Sequence, residues 1–198
     1  DDIDAIANMN YLCNDIGVDT MEVGAALGVA MEANIVDWGD ADKAIEMIKQ
    51  MAEGKEEGML IGNGCVHAGK ELGIDRVPHV KGQGLAAYDP RGLKGTGVTY
   101  ATSPMGADHT CGNAVPSPAN PDYNPFADTG QGPVSQFLQI YHAAIDSIGL
   151  CLFAAIPLLD MPELQKDLIR SVSSATGMPY DQNYLVTIGK YTLKTERS

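Results

Sequence analysis

The sequence predicts an all-α, multihelical fold. Apolar residues recur at helical spacing along most of the chain, glycines stand where those stretches stop, and no segment alternates apolar and polar residues over a strand length.

Taken in order, Asp19-Thr20-Met21-Glu22 opens a helix to Asn34 in the manner of a capping box, and Ala25, Ala26, Leu27, Val29, Ala30 and Met31 make it small-residue and buried. Asp40 caps a second helix with Ala44, Ile45, Ile48 and Met51 on one face and Gly54 as its stop. A third short helix runs from Gly64 to Leu72 and ends at Gly73. Pro78, Gly82, Gly84 and Pro90 then break the pattern into a loop, after which helical spacing resumes to Thr102. From Asn113 to Pro133 the prolines at 116, 118, 121, 125 and 133 predict a long excursion over the surface or around a ligand. Pro133 suits a first helical turn, and Val134, Phe137, Leu138, Tyr141, Ala144 and Ile145 form an apolar face that leads to a break at Gly149. Stretches from Leu164 to Ala175, stopped by Gly177, and from Asp181 to Thr195 complete the helices.

With 198 residues, 44% of them hydrophobic, the chain can bury a real core. Its formal net charge of −13 and the lack of a basic stripe argue against nucleic acid. The longest apolar run, Ile148 to Leu159, is short and interrupted by Pro157, so no membrane span is expected, and a cytoplasmic protein is the simpler reading. The four cysteines are far apart and form no CxxC pair, which supports neither a zinc ribbon nor a disulfide framework, and buried thiols are their ordinary reading. The first residue is not Met and the last ones continue a helical pattern, so the chain is expected to be cut from a longer protein.

One short segment occurs twice. Asn14-Asp15-Ile16-Gly17-Val18-Asp19 is echoed by Asp146-Ser147-Ile148-Gly149-Leu150-Cys151: an acid or amide, two residues, glycine, an aliphatic, then a hydrogen-bonding or coordinating side chain. Each copy ends or interrupts a helix. A carboxylate three residues before a glycine suits a heterocycle with an amidine-like edge, because it can accept two parallel N–H bonds while glycine lets the backbone approach. As bare patterns, both copies also read as ordinary helix ends.

The two copies resemble the paired DxxGL(C/D) pterin-binding sequences of the aldehyde:ferredoxin oxidoreductases. Between them, Tyr88-Asp89-Pro90-Arg91-Gly92 followed by Tyr100-Ala101-Thr102-Ser103 and His109 is similar to that family's YDPRG…YATS…H stretch, so three motifs stand in order over roughly residues 11 to 155. The resemblance implies two similar helical subdomains of a larger enzyme, with residues 1–80 part of the family's second domain and 81–198 part of its third. It implies that Asn14, Val18 and Asp19 contact one pterin of a tungsten (or molybdenum) bis-pterin, and that Asp146, Leu150 and Leu152 contact the other. Cys151 stands where the family places the last ligand of a [4Fe-4S] cluster, the other three belonging to a missing N-terminal domain. His109 matches the family's active-site histidine, suited to hydrogen-bond a substrate oxygen and move a proton near neutral pH. His67, His79 and His142 match no motif and read as structural or surface residues.

The resemblance also implies a fragment, inactive by itself, of an enzyme from an anaerobe's metabolism that oxidises aldehydes to carboxylic acids and passes electrons to ferredoxin; a homodimer is left open. Asn14 for Asp, Met105 for Arg, and Asp108 for a small residue or Cys depart from the family pattern. They leave two alternatives, a tungsten-dependent reductase of an aromatic acyl-CoA or carboxylic acid, and a helical structural module without cofactor.

Overall fold

The computed structural model describes residues 2–117 and 120–198, so Pro118 of the proline-rich excursion lies outside the described residues. Among them are ten α-helices and a hairpin of two-residue strands, which is the all-α fold that the periodicity predicts. The chain divides into two compact units, Asp1–Ala87 and Tyr88–Ser198.

In the first unit α1 (Ile3–Ile16) starts on the Asp2 carboxylate and ends at Gly17 in the left-handed region. Only its end is visible in the sequence, because it buries Cys13 alone and leaves Ile3, Ile6 and Tyr11 exposed, so no clean stripe forms. Next comes α2 (Thr20–Glu32), the buried helix expected from its small residues, with Val23, Ala26, Leu27, Val29 and Ala30 in the core. The Asp19 carboxylate caps it, accepting from the Glu22 amide at 2.7 Å. The other half of the capping box is diverted: Glu22 accepts from the backbone amides of Cys65 at 2.8 Å and Gly84 at 2.7 Å.

Asp40 caps α3 (Ala41–Ala52), whose buried face is Ala44, Met47, Ile48 and Met51. The short helix α4 (Glu56–Gly62) escapes the sequence reading, since two of its seven residues are glycine. Packing decides it: a Cβ on Gly58 would run into the Met51 backbone of α3, so the close approach requires glycine there. Helix α5 (Cys65–Leu72) lies between Gly64 and Gly73 as read. Within the stretch read as loop, β1 (His79–Val80) and β2 (Gln83–Gly84) pair antiparallel across Lys81 and Gly82, both at positive φ.

The second unit is organised by α7 (Gln131–Ser147), which packs against α6 (Lys94–Thr102) and α10 (Tyr184–Glu196). Leu138, Tyr141, Ala144 and Ile145 face the core as predicted, joined by Ala155, Leu158, Ile169 and Leu185. Phe137, placed on that face by spacing, is exposed instead, because it falls at the edge of the stripe. A 3-10 turn (His109–Cys111) sits between α6 and α7 in the chain. Helix α8 (Leu152–Asp160) continues through Pro157, which the sequence reading takes as a break. Then follow α9 (Pro162–Thr176), closed by Gly177, and α10. No helix among the described residues is long and apolar enough to cross a membrane.

Candidate functional site

The repeated segment becomes a repeated piece of backbone. Gly17 follows α1 at φ +85 and Gly149 follows α7 at φ +74, both in the left-handed region where a side chain is strained. In each copy the next amide reaches back five residues to a helix carbonyl, Val18 to Cys13 at 3.0 Å and Leu150 to Ile145 at 3.2 Å. In each copy the residue after that is the extended N-cap of the next helix, Asp19 for α2 and Cys151 for α8. A Cβ built on either glycine would meet nothing within 4 Å, so the glycines serve the chain reversal and leave open space above the corner.

At the first corner Asn14 and Asp19 are exposed and Val18 is half-buried. The Asn14 amide donates to the carbonyl of Asn10 at 2.9 Å, and Asp19 holds the first turn of α2. At the second corner Leu150 and Leu152 are half-buried while Asp146 and Cys151 are exposed. The carboxylate of Asp146 accepts no hydrogen bond among the described residues, while its backbone carbonyl accepts from the Gly149 amide at 3.0 Å. Burial nevertheless pushes its carboxyl above the ordinary range, opposed by the neighbouring His142 and reinforced by the charge of Asp108. The thiol of Cys151 caps nothing, in contrast to the carboxylate at the matching position. An exposed, unengaged thiol at a helix start and a carboxylate with unused acceptor positions fit a cluster ligand and the amidine edge of a pterin. Among the described residues no group of three or more His, Cys, Asp and Glu could hold a metal.

His109 is half-buried in the 3-10 turn, and its ring stacks on Tyr88 with centroids 4.9 Å apart. The hydroxyl of Tyr100, from α6, donates to the Tyr88 carbonyl at 3.2 Å, so two tyrosines of the YDPRG and YATS motifs back the histidine. Asp108 fastens the turn: one carboxylate oxygen accepts from the Thr110 amide at 2.8 Å and hydroxyl at 2.7 Å, and the other from the Cys111 thiol at 3.3 Å. Burial pushes that thiol up to about 12, so it stays protonated and can donate. Asp108, a departure from the family pattern, therefore has a local structural reason. In the YDPRG segment Asp89 and Arg91 form a bidentate pair at the surface, and the Arg91 hydrogen bonds hold Asp89 down to about 2.

The sequence reading misses a second stripe on α7. Gln131, Ser135, Gln139 and His142 are buried polar residues at helical spacing, one face of the helix whose last turn carries Asp146. Each finds a partner: Gln131 the Tyr123 hydroxyl at 2.8 Å, Ser135 the Thr99 hydroxyl at 2.7 Å, Gln139 the Thr102 hydroxyl at 2.9 Å, and His142 the Thr110 carbonyl at 2.6 Å. The signal was present as a run of uncharged polar side chains at spacings of four and three, beside the apolar run. His142 is 5% exposed, whereas His67 is half-buried and His79 lies exposed in the hairpin. Cys13 and Cys65 are buried, but Cys111 is only half-buried and Cys151 exposed, which corrects the reading of four buried thiols.

The chain is thus helical, with a corner that occurs once in each unit, one copy ending in a carboxylate and the other in a free thiol, and with a histidine turn packed against α7 in the second unit. Comparison with known proteins agrees: a family model described as aldehyde ferredoxin oxidoreductase, domains 2 and 3, matches residues 1–198, and the chain belongs to this family of oxidoreductases. A tungsten-containing aldehyde ferredoxin oxidoreductase of Pyrococcus furiosus is 29% identical over 99% of the chain, and one of Thermococcus kodakarensis is 28% identical over the same share. An aliphatic sulfonate oxidoreductase, WOR-like subunit, of Pyrococcus furiosus is 28% identical over 57% of the chain and 21% of its own length. The chain spans 35% of the length of the first two relatives.

Proposed function

We propose that this chain is the cofactor-gripping part of a tungsten (or molybdenum) bis-pterin oxidoreductase that converts an aldehyde and water to a carboxylic acid, releasing two protons and two electrons, the electrons passing singly to ferredoxin. Support comes above all from the second corner, where an unengaged Asp146 carboxylate, the half-buried Leu150 and Leu152 and the exposed Cys151 thiol gather within seven residues beside the turn that carries His109. When bound, the bis-pterin metal would supply the two-electron chemistry and a [4Fe-4S] cluster the one-electron outlet.

In this reading the residues of the chain have separate tasks. Asp146 accepts the paired N–H edge of one pterin, and Leu150 and Leu152 flank it. Asn14, Val18 and Asp19 do the same for the other pterin, with an amide in place of the carboxylate. Cys151 gives the cluster one thiolate, and three more come from the part of the relatives that this chain does not span. His109, backed by Tyr88, orients the substrate oxygen and takes up or returns a proton.

The test is elemental analysis of the full-length protein purified without oxygen. Tungsten or molybdenum with about four irons per chain, as one four-iron cluster requires, is the expected result. His109→Ala is expected to keep those metals and lose turnover by about 100-fold or more, in the range of a removed general acid–base. A well-folded protein with neither metal overturns the proposal.

A further inference from the structure

The buried polar stripe of α7 has one member that the tasks above do not use. The Nδ1 of His142 lies 2.6 Å from the carbonyl oxygen of Thr110, and since a carbonyl only accepts, the imidazole donates there as its Nδ1–H form. Thr110 is the middle residue of the turn His109–Cys111. That turn is held from inside by Asp108 and from α6 by the Thr99 hydroxyl, which donates to the carbonyl of Gly112 at 2.8 Å. Its exit runs close against α7: Gly112 has φ +155, and a Cβ there would stand 3.0 Å from the Gln139 amide. His142 is thus the side chain by which α7 grips the turn itself, and it stands one helical turn before Asp146 on the same helix.

We propose that His142 is a positioning residue for His109: its hydrogen bond to Thr110 sets the histidine turn in register with Asp146, so that one face of α7 aligns the proton-transfer group with the pterin contact. The inference rests on the function proposed above. Burial favours the arrangement, because a neutral imidazole needs only one donor bond here, and the low exposure of the ring keeps water from competing for the Thr110 carbonyl. The stack of His109 on Tyr88 holds the ring itself, so the turn is fixed through its backbone and the imidazole through an aromatic face. A shift of the turn along α7 moves His109 relative to Asp146 without touching either residue.

The experiment compares His142→Phe with His142→Asn in the full-length, metal-loaded protein. Asparagine places an N–H donor where Nδ1 stands; phenylalanine keeps the ring and removes the donor. His142→Phe is expected to lower kcat on the order of 10- to 100-fold, as a small misplacement of a reacting group does, with KM and the tungsten and iron content close to those of the parent. Deuterium uptake of the peptide covering residues 108–114 is expected to quicken several-fold in the same variant. His142→Asn restores both readouts to within a few-fold. An unchanged kcat and unchanged uptake in His142→Phe overturn the proposal, and so does a His142→Asn variant as impaired as His142→Phe. If His142→Phe does not fold, His142→Gln, whose donor stands one bond further out, takes its place, and equal behaviour of Gln and Asn overturns it. The uptake readout needs no turnover. A normal activity in His109→Ala would therefore sink the proposed function while the uptake contrast still decides whether His142 grips the turn.

Discussion

The two corners that follow α1 and α7 share a backbone and differ in what their last residue does. At the first, Asp19 spends a carboxylate oxygen on the Glu22 amide and thereby builds α2. At the second, Cys151 starts α8 with an exposed thiol that caps nothing. The glycine positions, the back-reaching amides and the extended N-caps match, so the difference lies in side-chain chemistry placed on one repeated device. The same corner ends in a helix-capping carboxylate in one copy and in an exposed thiol without a capping bond in the other.

Four experiments on the full-length protein probe the contrast between the corners and between the units that carry them. The largest expected effect is in metal content. Cys151→Ser is expected to lose most of the cluster iron while keeping its helix content by circular dichroism, and Asp19→Ser, which still caps, is expected to keep the iron; equal iron in both variants would remove Cys151 as a ligand. Next come the glycines. Gly17→Ala and Gly149→Ala each force a side chain into the left-handed region and are expected to lower stability by about 1–2 kcal/mol, alike at the two corners, in denaturant unfolding. Third, Asp19→Ala is expected to cost about 1 kcal/mol as a lost helix cap. Cys151→Ala in the cluster-free protein should stay within about 0.5 kcal/mol, as exposed substitutions do.

The smallest effect separates the two units by pH. Glu22, in the first unit, is held below its ordinary value of 4.5 by the Cys65 and Gly84 amides, against the opposing push of burial. Its contribution is present above that pH and lost as pH falls through the lowered folded value. His142, in the second unit, is held below its ordinary value of 6.5 by burial, so the unfolded chain takes up its proton first. Its contribution is full above pH 6.5 and lost as pH falls below that. Hydrogen exchange followed downward in pH should therefore show the second unit loosening before the first, and His142→Asn should abolish the difference near pH 6. The same order of loosening in His142→Asn would assign the effect to another group.

Much of the fold is legible because the helices that have strong apolar stripes also have strong ends. Asp40 and Gly54, Gly64 and Gly73, and Gly177 bracket α3, α5 and α9 closely as read. The helices that escape lack one of those signals: α1 has a mixed outer face, α4 is part glycine, and α8 contains Pro157. The candidate site follows the same division. The repeated segment and the YDPRG and YATS stretches are readable as local strings. His142, Asp108 and Glu22 acquire their tasks from partners that are distant in the chain or from the shape of a turn, as in the 62 residues between Glu22 and Gly84.

The all-α class, the two glycine corners and the residue types offered there are written in the amino-acid order alone, because each depends on spacing and backbone preference within a few neighbouring residues. Folding in three dimensions adds the rest: Glu22 leaves its capping box to bind two distant amides, Asp108 fastens the histidine turn, and a buried stripe on α7 reaches that turn through His142. The physical reason is satisfaction of polar groups: a buried donor or acceptor must find a partner, and which partner it finds is set by the packing of helices far apart in the chain.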